Sequence, residues 1–402
     1  MRIGIIKEGK VPVDARVPFT PEQCRLIEVR YPQVKLLVQR SEVRAFNDDE
    51  YAEAGIELVD NLKDASIIFG VKEVNVEDLL PDKTYFFFSH TIKKQPYNRE
   101  LLKEIMNLNI KLVDYECLRD QSGDRILGFG KYAGLVGCYN GLLAYGNRSG
   151  RYNLKAAHLC KDREEMESYL SKVDLPKNFK IVATGRGRVG SGVVSIFDKM
   201  GLTAVSPNDF LNNTFNEAVY TQIDVEEYLQ KKDGSTFDKS ELYQHPNRYE
   251  SNFIPFGKVA DMLIAGHFWD ARGPKIIPKK FMASDDFKIR TIADISCDID
   301  GPIPSTIRSS VIEDPIYHVN RLSLKEEKEC KADNITVMAV DNLPCELPKD
   351  SSIDFGNELI AKVLPNLLRR DNNAMIEKGT IAQSGELMPD FAYLQDYVDG
   401  KE

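Results

Sequence analysis

Short apolar runs alternate with amphipathic segments over the first 135 residues, and this rhythm predicts a parallel α/β sheet. The helix predicted over 20–31 opens with Thr20 and Pro21, a favourable N-cap and first-turn pair, and a second helix is predicted over 97–107. The predicted strands are, in chain order, 1–6, 34–38, 65–71, 84–89 and 110–113.

The same alternation returns in the second half of the chain. Residues 131–145 are apolar and small, which predicts a connecting helix at a lobe boundary. Residues 207–258 are rich in Asn, Asp and Tyr and weakly periodic, so we expect an elaborated loop region there. Further predicted strands are 179–184, 290–296 and 335–340, and a strongly amphipathic helix over 353–368 is predicted to return to the first lobe.

These elements predict an α/β fold of two Rossmann-like lobes with parallel sheets, separated by a cleft. We expect a substrate-binding and catalytic lobe of residues 1–135 plus 346–402 and a dinucleotide-binding lobe of residues 136–345. The chain then crosses between lobes twice, an arrangement that suits a hinge. A length of 402 residues agrees with two lobes, because it exceeds the usual single domain of roughly 100 to 200 residues.

Composition and charge narrow the class of partner. No stretch approaches the roughly 18 apolar residues of a membrane helix, and residues 1–7 carry too short an apolar run for a signal peptide. A net charge of -9 and a pI near 5.4 argue against binding to a nucleic-acid backbone. The expected partners are therefore small molecules.

Cysteine usage indicates the compartment. The seven cysteines are scattered and odd in number, with no C-x-x-C pair and no zinc-ligand spacing. We expect a reduced, cytoplasmic protein without a structural metal. The sequence does not reveal an oligomeric state.

A glycine-rich turn supplies the main functional signal. Gly185-Arg186-Gly187-Arg188-Val189-Gly190 follows the predicted strand 179–184 and precedes an apolar-faced helix over 193–200, the context of a dinucleotide-binding G-x-G-x-x-G motif. Gly185 permits the tight turn, Gly187 lets the backbone approach a pyrophosphate, and Gly190 allows close packing of helix and strand. We expect Arg188 and Val189 to contact the cofactor with these glycines.

The usual acidic residue about 20 positions further on is missing, because the next strand ends at Ser206. A neutral residue there removes the charge that would repel a ribose phosphate, and Arg188 can supply a cation from the turn. Asp209 offers an alternative way to bind the NAD ribose. The cofactor is predicted to be NADP or NAD, with a slight preference for NADP.

Polar residues that end strands are the candidates for chemistry, because ligands lie beyond the carboxyl ends of parallel strands. Lys72 ends one strand and His90 the next, which puts an amine and an imidazole at one sheet edge. Arg16, after the first strand, is a candidate clamp for a carboxylate, and Asp298 is a candidate in the second lobe. Each residue alone also has a structural explanation, as a solvated strand end, a turn residue or a surface arginine.

Taken together, these segments resemble the alanine dehydrogenase and saccharopine dehydrogenase superfamily over nearly the whole chain. The motifs that carry this resemblance are Lys7-Glu8, Arg16-Val17-Pro18-Phe19-Thr20-Pro21, Gly70-Val71-Lys72, Phe87-Phe88-Ser89-His90-Thr91-Ile92-Lys93, Asp114-Tyr115-Glu116, Phe129-Gly130-Lys131-Tyr132-Ala133-Gly134, Asp294-Ile295-Ser296-Cys297-Asp298 and Asp341-Asn342-Leu343-Pro344. Residues 89–93, 341–344 and 243–249 look most like the lysine-ketoglutarate reductase domain, which has the lysine-forming saccharopine dehydrogenase activity.

The resemblance implies that Lys72 and His90 form an acid-base pair, that Arg16 binds a substrate carboxylate, and that Asp298 lies near substrate and nicotinamide. The implied reaction forms or cleaves saccharopine from L-lysine, 2-oxoglutarate and NAD(P)H. One alternative is an alanine dehydrogenase or another amino-acid, opine or imine dehydrogenase. A different class is a module that senses NAD(P) without turnover, which has no need of Lys72, His90 and Asp298.

Overall fold

Each half of the architecture is built on its own eight-stranded sheet. The computed structural model describes residues 1–401, and their contacts define a first unit, Met1–Phe129 with the chain from Pro348 onwards, and a second unit, Gly130–Leu347. The sequence placed these boundaries after residue 135 and before residue 346. They fall elsewhere because the helix Gly130–Ser149 packs on the second unit from its first turns, where an added Cβ at Gly134 would lie 1.9 Å from the Val189 carbonyl.

The first unit contains eight strands and seven α-helices among the described residues. Its strands are β1 (Arg2–Ile5), β2 (Lys35–Gln39), β3 (Glu57–Val59), β4 (Ile67–Phe69), β5 (Thr84–Phe87), β6 (Lys111–Asp114) and, at the C-terminal end of the chain, β17 (Thr380–Gln383) and β18 (Glu386–Leu387). Its helices are α1 (Pro21–Arg30), α2 (Asp48–Glu53), α3 (Arg99–Asn107), α12 (Pro348–Glu358), α13 (Leu364–Leu368), α14 (Met375–Lys378) and α15 (Gln395–Val398), with a π-helical turn at Leu359–Val363.

The strand order of the first sheet is β18-β17-β6-β5-β4-β1-β2-β3. The six strands from β6 to β3 run parallel, and β17 and β18 add an antiparallel edge. The chain winds from β1 toward β3 on one side and from β4 toward β6 on the other. The order therefore reverses between β1 and β4, the place where open α/β sheets bind ligands.

The second unit contains ten strands and eight α-helices among the described residues. Its strands are β7 (Lys180–Thr184), β8 (Thr203–Ala204), β9 (Val219–Ile223), β10 (Leu229–Lys231), β11 (Tyr249–Ser251), β12 (Met262–Ala265), β13 (Thr291–Asp294), β14 (Ile316–Asn320), β15 (Glu326–Glu327) and β16 (Asn334–Met338). Its helices are α4 (Gly130–Ser149), α5 (Arg163–Ser168), α6 (Arg188–Met200), α7 (Pro207–Asn212), α8 (Val225–Tyr228), α9 (Lys239–Gln244), α10 (Ile254–Val259) and α11 (Lys279–Met282).

The second sheet has the order β15-β14-β16-β13-β12-β7-β9-β8, parallel except for β14 and β15. The prediction of a loop region over 207–258 is wrong for β9, which is buried beside β7 along its whole length. β9 is only five residues long and follows a polar segment, so its pattern was too short to stand out. β10 and β11 form a separate antiparallel hairpin in the same region.

The predicted fold class is confirmed: two Rossmann-like α/β units, each with a largely parallel sheet and antiparallel edge strands. Each sheet is covered by apolar side chains on both faces, as parallel sheets require. Within residues 1–401, no helix is long and apolar enough to cross a membrane.

Candidate functional site

Three of the predicted site residues of the first unit follow adjacent parallel strands. Arg16 lies in the segment after β1, Lys72 comes three residues after β4, and His90 comes three residues after β5. Since β1, β4 and β5 are neighbours, all three residues lie at one edge of the sheet, around the reversal of strand order. The structure thus brings together the residues that the strand-end argument selected.

Arg16 is a buried cation with a fixed orientation. Its side chain is 2% exposed, its Nε donates to Asp14 Oδ1 at 2.9 Å and its Nη2 to Asp14 Oδ2 at 2.5 Å. The guanidinium also lies 4.1 Å above the ring centre of Phe129. Burial by itself would raise the pKa of Asp14, but the charge and hydrogen bonds of Arg16 lower it well below its usual range. The result is a rigid ion pair at the ligand edge of the sheet.

His90 is held by an acidic residue that the sequence did not single out. Its Nδ1 lies 2.5 Å from Glu73 Oε1, and Lys10 Nζ contacts Glu73 Oε2 at 3.2 Å. Burial would raise the pKa of Glu73, but the hydrogen bond and charge of His90 lower it to about 2. An ionised carboxylate only accepts hydrogen bonds, so Nδ1 carries a proton and Nε2 is left as the nitrogen that can exchange one.

Lys72 belongs to the same cluster as His90 and Glu73, because charged residues act on all of them. Burial lowers the pKa of Lys72, and the charges of Arg16 and Lys10 lower it further. Glu73, the next residue in the chain, joins Lys72 to His90, and Lys10 acts on both Lys72 and Glu73. An amine with a lowered pKa transfers protons more readily near neutral pH than an ordinary lysine does.

A second unpredicted carboxyl, Glu8, supports the backbone of Lys72. Its Oε1 accepts from the Val71 N–H at 2.6 Å and its Oε2 from the Lys72 N–H at 2.9 Å. Burial and the charge of Asp14 raise the pKa of Glu8 to about 8 despite these two donors. Glu8 appeared in the sequence only as part of the motif Lys7-Glu8, and Glu73 only as the neighbour of Lys72. Glu8 lies three residues after β1, as Lys72 does after β4. The strand-end argument considered the residue directly after each predicted strand, and neither glutamate holds that position.

In the second unit the glycine turn has the predicted local structure. It connects β7 to α6, and Gly185 has a φ of +91°, a conformation that favours glycine. A Cβ at Gly190 would lie 2.1 Å from the Gly185 carbonyl oxygen, so only glycine permits this packing. A Cβ at Gly187 would instead meet no described atom within 4 Å, since this position faces open space.

A cavity of about 490 Å³ lies against the turn. Gly185, Gly187, Arg188 and Val189 contribute to its wall, which is mostly apolar and continues to the side of the hairpin β10–β11 at Leu229. The volume is within the usual range of small-molecule sites, about 300 to 1,000 Å³. The open space at Gly187 and the adjoining N-terminus of α6 fit a bound diphosphate.

Ser206 does not occupy the position that the sequence assigned to it. It follows β8, which lies at the sheet edge beyond β9, and its Oγ caps α7 by accepting from the Asp209 N–H at 3.1 Å. The premise that Ser206 ends the strand next to the glycine turn is therefore wrong. Asp209 is also engaged there, because its Oδ2 accepts from Ser206 Oγ at 2.7 Å.

The strand next to the turn is β9, and it is followed directly by Asp224. Asp224 lines the cavity. A carboxylate after the strand beside the glycine turn is typical of dinucleotide motifs that bind NAD, and the sequence spacing did not find this one. The spacing argument missed Asp224 because it took the first strand after the glycine turn, β8, as the neighbour of β7. In the sheet, β9 lies beside β7 and β8 lies beyond β9.

Asp298 follows β13 and is half-buried, but it is not among the residues that line the cavity. Burial and the charge of Asp294 raise the pKa of Asp298. Its assignment to substrate stays a prediction. Within residues 1–401, no group of three or more His, Cys, Asp or Glu side chains is arranged to hold a metal ion.

Comparison with known proteins shows which families this chain resembles. Residues 4–136 match the alanine dehydrogenase/PNT N-terminal domain. The chain is 30% identical to an alpha-aminoadipic semialdehyde synthase of Arabidopsis thaliana, over 98% of this chain and 41% of that protein. It is 25% identical to a saccharopine dehydrogenase [NAD(+), L-lysine-forming] of Candida albicans, over 90% of each. A solved L-alanine dehydrogenase shares its fold, with a TM-score of 0.65 at 18% identity over 100% of this chain and 99% of that one.

The predicted resemblance to the alanine dehydrogenase and saccharopine dehydrogenase superfamily is confirmed. The resemblance implies a nicotinamide cofactor without deciding between NAD and NADP. The chain spans less than half the length of the alpha-aminoadipic semialdehyde synthases that it matches.

Proposed function

We propose that this protein is an NAD(P)-dependent dehydrogenase that forms or cleaves saccharopine from L-lysine and 2-oxoglutarate. The observation that carries the proposal is the cluster of Arg16, Lys72, Glu73 and His90 at the strand reversal of the first unit. A module that only senses a nucleotide has no use for an oriented imidazole beside an amine of lowered pKa. The names of the relatives support the choice of substrates.

The residues of the cluster suit an amine condensation. The ε-amine of lysine attacks the oxo carbon of 2-oxoglutarate, water leaves, and the resulting imine carbon is reduced; the bound nicotinamide supplies the hydride. Each step before reduction moves protons, and we assign these transfers to His90 Nε2 and Lys72 Nζ. The contact of His90 Nδ1 with Glu73 and the lowered pKa of Lys72 support this assignment. We assign the substrate carboxylate to Arg16, whose guanidinium is held in a fixed orientation by Asp14.

The deciding experiment follows NADH and NADPH oxidation by the purified protein with two substrate pairs. Lysine plus 2-oxoglutarate should support turnover, and pyruvate plus ammonium should not. The opposite preference would favour an alanine dehydrogenase. Binding of nucleotide without turnover of either pair would contradict the proposed reaction.

We further propose that NAD is the cofactor, because Asp224 lies after the strand beside the glycine turn and lines the cavity. A carboxylate at this position accepts hydrogen bonds from the ribose hydroxyls of NAD and repels the ribose phosphate of NADP. The spacing argument from Ser206 favoured NADP, and this geometry outweighs it.

Exchange of Asp224 tests the cofactor choice. Asp224→Ser should lower the ratio of kcat/KM for NADH to that for NADPH by about tenfold or more, since it removes both the acceptor and the repulsion. Asp233→Ser, at an exposed turn of the hairpin, is the matched control and should leave the ratio unchanged. An unchanged ratio in Asp224→Ser would remove the basis for NAD.

A further inference from the structure

His267 presents a buried polar atom that has no partner. It follows β12 and is 5% exposed, and its Nδ1 lies 2.7 Å from the Thr184 hydroxyl at the end of β7. Its Nε2 is also buried and makes no hydrogen bond to any described residue. Buried polar atoms in folded proteins nearly always have a partner, so an isolated one calls for an explanation.

The position of His267 suggests what the missing partner is. β12 and β9 lie on opposite sides of β7, so His267 and Asp224 lie on opposite sides of the glycine turn. A Cβ at Gly185 would come within 3.1 Å of the His267 Cα, and His267 is one of the residues that line the cavity. The imidazole is therefore next to the place where a diphosphate would cross the turn.

The protonation state of the His267 imidazole is compatible with hydrogen-bond donation from Nε2. Burial lowers the pKa of His267 to about 4, so the imidazole is neutral at physiological pH. The Thr184 hydroxyl can donate to Nδ1, and this arrangement leaves the ring proton on Nε2. The nearby Arg186 is engaged elsewhere, with its Nη2 donating to Glu227 Oε1 at 2.9 Å and to the Gln222 carbonyl at 3.0 Å.

We propose that His267 is a cofactor-binding residue whose Nε2–H donates to a diphosphate oxygen of the dinucleotide, with Thr184 as the residue that sets its tautomer. The inference rests on the proposed function, since it requires that the cavity binds a nicotinamide dinucleotide. Nε2 is enclosed in the free protein, so the ring or the glycine turn shifts slightly when the ligand arrives. This neutral donor complements the N–H groups at the N-terminus of α6 without adding charge.

Two substitutions separate this role from a structural one. His267→Gln keeps an N–H donor near the position of Nε2, whereas His267→Asn keeps a partner for Thr184 and removes the outer donor. Binding of ADP is measured by calorimetry and by the fluorescence of Trp269, which lines the same cavity and is the only tryptophan in the sequence. Adenosine, which has no phosphate, is the control ligand.

We expect His267→Asn to bind ADP about tenfold more weakly than the wild type, and His267→Gln to lie within about threefold of it. Adenosine should bind all three proteins equally. Equal ADP affinity in all three, or an equal loss in both variants, overturns the assignment of His267 and leaves the proposed function standing. Failure of the wild-type protein to bind ADP or NADH at all contradicts the proposed function itself, and this inference with it.

A measurement on the wild-type protein avoids dependence on the folding of variants. Nitrogen NMR of the histidine rings reports the tautomer of His267 directly. We expect the Nε2–H tautomer in the free protein and a shift of the Nε2 resonance when ADP is added. The opposite tautomer in the ADP complex, or an unchanged resonance, overturns the proposal.

Discussion

The two units differ in how the order of strands along the chain corresponds to their order in the sheet. In the first unit, β1 is followed outward by β2 and β3, and β4, β5 and β6 continue on the other side. In the second unit, β9 lies beside β7 and β8 lies beyond it, although β8 comes first in the chain. Counting strands along the sequence therefore places Lys72 and His90 at one sheet edge, as the structure does. In the second unit the same counting selects Ser206, whereas Asp224 follows the strand beside the glycine turn.

The units also differ in how their sites are built. The edge of the first sheet is a dense network of ionised groups, in which Glu73, Asp14 and Arg16 are each held by charged partners. The cavity of the second unit is mostly apolar and has few polar groups. This contrast suits a division between proton transfer in one unit and cofactor binding in the other, and the following experiments test it.

The largest effect is expected in the first unit. Lys72→Met and His90→Gln should each lower kcat by about 10²- to 10⁴-fold, because each removes a group that we propose to transfer protons. The affinity for ADP-ribose, measured by calorimetry, should stay within twofold of the wild type. Lys83→Met and His245→Gln, which alter a lysine at the opposite end of β5 and an exposed histidine, are the controls. Wild-type rates in both active-site variants would remove the assignment.

In the second unit we expect a substitution to lower the affinity for the nucleotide. Gly187→Val introduces a side chain where the backbone faces open space, so the unfolding temperature should change little. The same side chain occupies the path of a diphosphate, and we expect ADP-ribose affinity to fall by about tenfold or more. If affinity is retained, the diphosphate does not lie at Gly187.

A smaller effect is expected on the pH dependence of folding stability, to which two carboxyl groups of the first unit, Glu8 and Glu73, contribute in opposite directions. The pKa of Glu8 is raised from 4.5 to about 8, so its ionisation opposes folding, and its contribution to stability is lost as pH rises through this range. The pKa of Glu73 is lowered to about 2, so its contribution is present above pH 4.5 and is lost as pH falls toward 2.

Denaturant unfolding at several pH values measures both contributions. Relative to the wild type, Glu8→Gln should gain on the order of 3 kcal/mol between pH 5 and 8. Glu73→Gln should be less stable than the wild type above pH 4.5, by about 1 kcal/mol, and the difference should shrink as the pH falls toward 2. Parallel pH profiles for the wild type and both variants would show that neither carboxyl is perturbed as described.

Local patterns predicted much of the fold. The helix at Thr20 is capped as expected, with its Oγ1 accepting from the Gln23 N–H, and β1, β5, β6 and β7 lie within their predicted ranges or within one residue of them. These elements contain strong apolar runs and clear capping residues. Such signals involve only a few consecutive residues, so the sequence alone reveals them. β9 lacked such a pattern: it is five residues long, and four of them are buried between β7 and β8 by tertiary contacts.

The site residues likewise fall into those that local sequence patterns predicted and those that depend on contacts between distant parts of the chain. The glycine turn and the residues that end β4 and β5 were evident from the sequence, because turn geometry and strand ends are local properties. Glu8 and Glu73 were not, because their roles come from hydrogen bonds to residues 63 and 17 positions away. His267 looked unremarkable for the same reason: its partner Thr184 is 83 residues earlier.

The sequence by itself determined the two Rossmann-like units, the glycine turn and the pairing of an amine with an imidazole at one sheet edge. Only the tertiary structure decided which strand lies beside the turn, and so which carboxylate lines the cavity there. Local propensities encode where a strand begins and ends, but the order of strands in a sheet depends on which buried faces pack best. Asp224 and the unpartnered nitrogen of His267 became visible once that order was known.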